Sequence, residues 1–294
     1  MEIVIPDTNA LFLLGGRGFF GHGAVYERRD PGRGGYDDLP TLLKRLEAYI
    51  ALWQNPKTEL NHLRCKMLNT CIEAGCKPKG IYTLTVPTGG GKTVTSLAFA
   101  LHHAVTHGMK RVFYIIPYTS IIEQNAEVFR NILGDGNVLE HHSGIEFDLS
   151  DGASPEEIRR ALASENWDMP VVVTTAARFF DSLYANRSSK CRKLHNLANS
   201  VIIFDEAQML PLCHLRPCVA AMASLAEYVG STLVLCTATQ PSLSDLLRTY
   251  APGHTVMELC PQTEEIYDRF RRVTFRQAGI LEDDALTERL SNHR

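Results

Sequence analysis

The sequence predicts an α/β fold in which a parallel sheet carries helices on both faces, with a helical segment ahead of it. Beyond Gly80, short apolar runs rich in β-branched residues alternate with longer amphipathic segments, which is the rhythm of βαβ units. One apolar run leads into three glycines followed by Lys92 and Thr93, and a later run ends in Asp205 and Glu206. Ligands of open α/β sheets bind at the carboxyl ends of the strands, so both sets of residues point to that edge.

Two regions precede the sheet. Residues 1–38 are rich in glycine and arginine without a sustained period, which predicts an irregular segment. From Leu39 onward, apolar residues recur every three or four positions, which predicts one helix, and a second helix is expected over 60–73. We assign residues 39–79 to a helical segment, the end of an upstream domain and the lead-in to the sheet.

The sheet region is predicted to span 80–262, with a polar, acidic linker over 263–294. Its strands are expected at 81–86, 111–116, 171–174, 201–204 and 232–236. The helices between them are expected to begin near Thr93, Ser120, Pro155, Ala177 and Leu212.

Composition limits the function classes. The chain has 294 residues, 45% of them hydrophobic, which is enough for one large or two modest domains. No apolar run approaches the length of a membrane span and no secretory signal is visible, so a cytoplasmic protein is expected. A net charge of -3 gives no global case for nucleic-acid binding. The eight cysteines form no Cys-x-x-Cys pair, and most are expected to be buried apolar groups.

The stretch from Pro87 to Thr93 has the features of a phosphate-binding loop. Its glycines let backbone N–H groups curl around a polyphosphate, and the helix that follows adds the partial positive charge of its N-terminus. Lys92 is expected to reach the β and γ phosphates of ATP, and the Thr93 hydroxyl to bind Mg²⁺. The predicted ATP-binding residues are Pro87, Thr88, Gly89, Gly90, Gly91, Lys92 and Thr93. The alternative is a glycine-rich turn without a ligand, and Val86 stands where the usual pattern has a glycine.

Asp205 and Glu206 follow the buried run 201–204. Asp205 is placed to hold Mg²⁺ through its water shell, and Glu206 to accept a proton from the water that attacks the γ-phosphate. With Lys92 they form the predicted catalytic set. The alternative is a strand that ends in a solvated acidic turn.

A third apolar run, 233–236, ends in small hydroxyl residues. Thr237 and Thr239, together with Gln208, are expected to couple the Glu206 region to the nucleic-acid side by hydrogen bonds. A Thr-Ala-Thr turn that only caps the next helix is the alternative. With no partner carboxylate at metal-ligand spacing, His141 and His142 are expected either to close a strand beside the nucleic-acid path or to pack locally.

Taken in order, these three segments resemble motifs I, II and III of the DExH-type helicases of superfamily 2. The segments 112–126, 171–183 and 205–211 narrow the resemblance to the CRISPR-associated helicase-nuclease of type I interference systems. The resemblance covers roughly residues 39–290 and is strongest over 80–245. It implies a RecA-like first motor lobe that uses ATP and Mg²⁺ in a single-stranded-DNA translocase or helicase of CRISPR antiviral defence.

The resemblance also implies contacts and partners. The residues that would touch the backbone of single-stranded DNA are Thr119, Ser120, Gln124, Thr174, Thr175 and Arg178. For the hydroxyls at 119, 120 and 175, capping of a helix N-terminus is an open alternative. Arg64 stands where such motors read the nucleotide base. The implied partners are single-stranded DNA and the type I surveillance complex, with a nuclease domain and a second helicase lobe normally in the same chain.

Two features of that family are not found in the sequence. No His-Asp dipeptide occurs, so the metal ligands of the nuclease domain are expected to be missing. No Gln-x-x-Gly-Arg-x-x-Arg pattern follows Thr239, so the second lobe and its arginines are expected to be missing as well, with little ATP turnover by this chain alone. A general DExH RNA helicase and an inert nucleotide-binding fragment are the alternatives.

Overall fold

The computed structural model describes residues 34–145, 147, 154–186, 191–237, 243–261 and 269–270. The predicted irregular segment therefore lies outside the described residues except for 34–38, and the predicted linker except for 269–270. Among the described residues, no helix combines the length and apolarity that crossing a membrane requires.

Two amphipathic helices, α1 (Leu39–Ala51) and α2 (Glu59–Ala74), precede the sheet. Asp38 and Thr58 cap them, because each side chain accepts the N–H of the residue three positions on. Both helices pack on α3 (Lys92–Thr106). The predicted start of α1 at Leu39 is confirmed, and α2 extends one residue beyond the prediction at each end.

The sheet has seven parallel strands in the described residues: β1 (Ile81–Thr85), β2 (Val112–Ile116), β3 (Val138–His141), β4 (Val171–Thr175), β5 (Val201–Phe204), β6 (Thr232–Thr237) and β7 (Val256–Glu258). Their order is β3-β4-β2-β5-β6-β1-β7. All pairs are parallel. The five predicted strands are confirmed, with ends that differ by at most one residue.

The two edge strands, β3 and β7, were not among the predicted strands. They have only four and three residues, and each contains a glutamate, Glu140 in β3 and Glu258 in β7. Such short, charged segments carry almost no period-2 signal. Pairing with a neighbour defines them, since β3 is in register with β4, and β7 with β1.

The remaining helices are α4 (Ile122–Leu133), α5 (Pro155–Asn166), α6 (Ala176–Tyr184), α7 (Leu194–Leu197), α8 (Leu215–Val229) and α9 (Leu243–Tyr250). α5 begins at the predicted residue, where Ser154 and Glu157 form a capping box. α4 and α8 begin two and three residues later than predicted, because short 3₁₀ turns at Thr119–Ile121 and Leu212–His214 come first.

The sheet separates two apolar cores. One face of the sheet packs against α1 to α4, with Leu42, Met67, Phe99 and Phe129 buried there. The other packs against α5, α6, α8 and α9, around Trp167, Phe179 and Met222. This layering confirms the predicted α/β architecture with helices on both faces.

The expectation that most cysteines are buried is only half right. Cys71, Cys218, Cys236 and Cys260 are buried, whereas Cys76 and Cys213 are exposed and the other two are half-buried. A cysteine on a helix is placed by the helix's own apolar face, and composition does not carry that information.

Candidate functional site

The phosphate loop, residues 86–91, joins β1 to α3 in a conformation that needs glycine. Gly89 and Gly91 have φ values of 82° and 86°, in the left-handed region that residues with a Cβ rarely adopt. A Cβ at Gly90 would lie 2.5 Å from Cγ1 of Val86 and 2.9 Å from the carbonyl oxygen of Pro87. The glycines therefore let the loop backbone fold tightly beside the N-terminus of α3. This geometry suits the binding of an anion.

Lys92 is the first residue of α3, and its ammonium lies between two carboxylates. Nζ is 3.0 Å from Oδ1 of Asp205 and also contacts Oε1 of Glu206. Burial lowers the pKa of Lys92, but the attraction of Asp205 and the hydrogen bond to Glu206 outweigh it, so the net pKa is raised. Lys92 is thus a firmly charged cation beside the glycines.

Asp205 follows β5 directly and is fixed from two sides. Its backbone N–H donates to the carbonyl of Ile115 at 2.8 Å, and the hydroxyl of Tyr114 donates to Oδ2 at 3.1 Å. Burial, and then the Asp205 charge, raise the pKa of Tyr114 well above its usual value, so the tyrosine stays a neutral donor. Tyr114 was not predicted as a site residue, since within an apolar strand it resembles core.

Glu206 has a backbone conformation that is rare for a residue with a side chain, with φ 46° and ψ 48°. Strain of this kind persists where the surroundings hold the residue, and it is frequent at functional sites. The carboxylate of Glu206 accepts hydrogen bonds from Lys92 at Oε1 and from the side-chain amide of Gln208 at Oε2. Gln208 Oε1 is buried without a hydrogen-bond partner among the described residues. Gln208 therefore contacts the residue it was predicted to couple.

Thr93 lies in the first turn of α3, and its hydroxyl donates to Oδ1 of Asn125 at 3.4 Å. Asn125 is only 7% exposed, whereas the neighbouring Gln124, which the sequence analysis selected, is exposed. The phase of α4 explains the difference, because Asn125 shares the buried face with Ile122 and Phe129. A helical-face reading of the sequence could have found Asn125.

Arg64 reaches the phosphate loop from α2. Its Nε and Nη2 donate to the carbonyl of Gly89 at 2.9 and 2.6 Å, and its Nη1 donates to Asn61 at 2.9 Å. The structure brings Arg64 to the predicted site. Its guanidinium holds the backbone of the loop.

A family comparison covers this arrangement except for Arg64. The family model described as DEAD/DEAH box helicase matches residues 69–246, more than half of the 294 residues, including the phosphate loop and both carboxylates. The chain belongs to the DEAD/DEAH box helicases.

Individual relatives of this helicase lobe are longer proteins. The chain is 29% identical over 182 residues to the CRISPR-associated nuclease/helicase Cas3 of Haloferax volcanii, covering 55% of this chain and 19% of that protein. The crystal structure of T. fusca Cas3 is 17% identical with a TM-score of 0.51, covering 71% of this chain and 24% of that one. A hypothetical ATP-dependent RNA helicase from Sulfolobus tokodaii is 19% identical with a TM-score of 0.49, covering 73% and 56%. The chain thus spans about a fifth of the curated relative, and the T. fusca structure supports the shared fold.

The coupling threonines of the helicase lobe are only partly described. Thr237 is the last residue of β6 and is buried, and its carbonyl accepts the N–H of Val86 at 3.2 Å. It therefore borders the phosphate loop. Thr239 lies outside the described residues.

Three of the predicted DNA contacts follow β2. Thr119 and Ser120 lie in the 3₁₀ turn ahead of α4, and the side chains of Thr119 and Gln124 are exposed. Neither that turn nor α4 begins with a side-chain cap, so the capping alternative does not apply to Thr119. These positions remain predictions.

The other three form, with His141, what we call the β3–β4 rim: His141, Thr174, Thr175 and Arg178. Thr174 is fully buried and its hydroxyl donates to the carbonyl of His141 at 2.6 Å. In this arrangement the hydroxyl is occupied by that bond, and a DNA contact of Thr174 stays a prediction. Thr175 caps α6 by accepting the N–H of Arg178 at 3.2 Å, so the capping alternative is confirmed for it.

His141 lies between two groups that can only donate hydrogen bonds. Nδ1 is 2.7 Å from Nε1 of Trp167, and Nε2 is 3.0 Å from Nη2 of Arg178. Burial, followed by the charges of Arg178 and Lys193, lowers the pKa of His141 to about 3, so the ring is neutral. A neutral imidazole has one acceptor nitrogen, so it can accept a hydrogen bond from only one of these two donors. In either tautomer the Arg178 guanidinium faces an uncharged ring.

His142 is accompanied by carboxylates, contrary to the expectation. Possible ligand atoms of Glu123, Glu140 and His142 lie within 4.8 Å of one another. The backbone N–H of Gly144 donates to Nδ1 of His142 at 3.1 Å, so Nε2 carries the proton and donates to Glu140 at 3.0 Å. Arg130 donates to the other oxygen of Glu140 at 2.7 Å. Glu140 is thus satisfied by a histidine and an arginine.

Proposed function

We propose that this helicase lobe binds ATP at the phosphate loop and contributes the carboxylate pair Asp205 and Glu206 to its hydrolysis. The position of the Lys92 ammonium carries the proposal, because it lies between both carboxylates at the end of a glycine loop. Phosphate oxygens can take the place of these carboxylates around the ammonium, while the N–H groups of the loop and the N-terminus of α3 face the same anion.

The residues fit a magnesium ion bound together with the substrate. The Thr93 hydroxyl and the Asp205 carboxylate are both oxygen donors, which Mg²⁺ prefers, and Asp205 is held in place by Tyr114. When bound, Mg²⁺ would neutralise charge on the phosphate oxygens.

Glu206 is the proposed general base. Once phosphate oxygens bind Lys92, Oε1 of Glu206 loses its cation partner, while the Gln208 amide still holds Oε2. A water oxygen then bonds to the γ-phosphorus, the bond from that phosphorus to the β–γ bridging oxygen breaks, and the water proton passes to Glu206. ADP retains the bridging oxygen.

We further infer that the lobe is the first half of an ATP-dependent single-stranded-DNA translocase or helicase in CRISPR antiviral defence. Similarity to a relative named CRISPR-associated nuclease/helicase supports this inference. The Arg178 guanidinium, a cation beside the neutral His141 in the β3–β4 rim, supports a phosphate contact. In the whole protein, a second lobe would supply arginines for hydrolysis, and a nuclease domain and the type I surveillance complex would be the partners.

The nucleotide proposal is tested by Lys92→Ala. We expect the variant to lose binding of a fluorescent ATP analogue by about 100-fold or more, because removing the ammonium leaves Asp205 and Glu206 facing the phosphates. Lys110→Ala is the matched control, since Lys110 is an exposed lysine beyond the far end of α3. Equal binding by both variants would refute the site.

The nucleic-acid proposal is tested by competition. A labelled single-stranded DNA bound to the chain is displaced with unlabelled DNA or RNA of the same sequence, at one fixed salt concentration. Tighter binding of DNA supports the proposal. Tighter binding of RNA favours the RNA-helicase alternative. If the chain binds neither DNA nor RNA, the result favours the alternative of an inert nucleotide-binding fragment.

A further inference from the structure

Glu258, at the end of edge strand β7, accepts hydrogen bonds from four neutral donors, three of them on β1. Its Oε2 accepts the hydroxyls of Thr83 at 2.9 Å and Thr85 at 2.8 Å. Its Oε1 accepts the backbone N–H of Thr85 at 3.2 Å and of Cys260 at 3.0 Å. Four donors on one carboxylate form a built site, and no motif considered in the sequence analysis includes it.

The carboxylate substitutes for a missing strand residue. β1 and β7 pair up to Thr83 and Glu258, and the N–H of Leu259 donates to the carbonyl of Thr83 at 2.8 Å. The N–H of Thr85 points to the same side, where β7 has ended. Because Thr85 is only 3% exposed, its N–H needs a protein acceptor, and Glu258 provides it.

Thr85 is the last residue before the phosphate loop. The next N–H, that of Val86, donates to the carbonyl of Thr237 on β6 at 3.2 Å. Two successive N–H groups are therefore held from opposite sides, one by β6 and one by Glu258. Pro87 follows and has no N–H to give. The start of the loop is fixed by these two bonds.

We propose that Glu258 is a positioning residue that sets the phosphate loop for nucleotide binding, an inference that rests on the proposed ATP site. A negative charge close to a polyphosphate site does not help to attract the ligand. Glu258 therefore acts through its four hydrogen bonds. A glutamine can keep them, because its oxygen accepts the two N–H groups and its amide donates to the threonine hydroxyls, which then act as acceptors.

The test compares Glu258→Ala with Glu258→Gln in the 294-residue chain. Affinity for a fluorescent ATP analogue should fall about tenfold in the alanine variant and stay within about twofold of wild type in the glutamine variant. Glu227→Ala, an exposed glutamate of α8, is the control and should bind like wild type. Amide hydrogen exchange should speed up over residues 83–91 in Glu258→Ala, with β2 and β4 unchanged.

Wild-type affinity together with unchanged exchange in Glu258→Ala would overturn the proposal. Faster exchange across the whole sheet would also overturn it, since Glu258 would then be a general stability residue. If the wild-type chain bound no nucleotide, the proposed function would fail, and exchange over 83–91 would still decide whether Glu258 positions the loop.

Discussion

The phosphate loop and the β3–β4 rim both lie at the carboxyl ends of the strands, but their cations have different partners. At the loop, the Lys92 ammonium is matched by Asp205 and Glu206. At the rim, the Arg178 guanidinium faces the ring of a neutral His141, which also contacts Trp167. Lys92 is therefore paired with two negative charges that a ligand can replace, whereas Arg178 faces a neutral ring.

This difference indicates two kinds of anion site. A ligand at Lys92 must displace carboxylates, so its binding is linked to the release of Glu206, the proposed base. Within the described part of the chain Arg178 forms no ion pair, so a phosphate there would add charge neutralisation without displacing Glu206. We therefore expect substitutions at the loop to act on nucleotide and those at the rim to act on nucleic acid.

Of the three substitutions that compare these two regions, Gly90→Ala is expected to have the largest effect on ligand binding. The new Cβ would overlap Val86 and the Pro87 carbonyl, and moving the loop should weaken ATP-analogue binding by roughly 2 kcal/mol, about thirtyfold. Gly253→Ala is the control, since a Cβ there meets nothing within 4 Å. Titration with a fluorescent analogue measures both. Unchanged binding by Gly90→Ala would mean that the close-packed loop does not form the site.

Arg178→Ala should have a smaller and different effect. We expect about fivefold weaker binding to single-stranded DNA and a salt dependence that loses about one unit of slope, because one phosphate contact is removed. Nucleotide affinity should not change. Arg192→Ala serves as the control, since Arg192 is an exposed arginine that lies 3.8 Å from Glu165. An unchanged salt slope in fluorescence-anisotropy titrations would exclude Arg178 from the DNA path.

The smallest effect concerns the neutral state of His141. Burial lowers the pKa of His141 to about 3, whereas the unfolded chain titrates near 6.5. Between these values the unfolded state binds a proton that the folded state does not, so stability falls as pH is lowered through this window. His141→Asn keeps an acceptor for Trp167 and should flatten that slope by about 1 kcal/mol per pH unit. Urea unfolding at pH 7, 6 and 5 measures it, and equal slopes would contradict a neutral histidine.

Some of this organisation could be predicted from sequence because its causes are local. The glycines before Lys92 predict a loop at the end of a strand. The two carboxylates after an apolar run predict acidic residues at the end of another strand. Parallel pairing then brings the two segments together at one edge. The central strands were predictable for the same reason, since their apolar runs are continuous.

The remainder depends on partners distant in sequence. Gln124 was predicted instead of Asn125 because the prediction did not use the phase of the helix. Thr174 was predicted from its hydroxyl alone, and its burial depends on the fold. Glu258 lies 173 residues from Thr85, and only the pairing of β7 with β1 brings them together. A single polar residue can cap a helix, connect two strands or contact a ligand, and its position in the fold determines which of these it does.

Glu206→Gln tests the central claim most directly, because it separates the proposed base from the binding cation. Titration of this chain with an ATP analogue and Mg²⁺ should show affinity equal to or above that of wild type, since the substitution frees Lys92 from one carboxylate. ATP turnover, measured in a chain that also carries the proposed second lobe, should be lost. A loss of nucleotide binding as large as that of Lys92→Ala, or normal turnover, would contradict the assignment of Glu206.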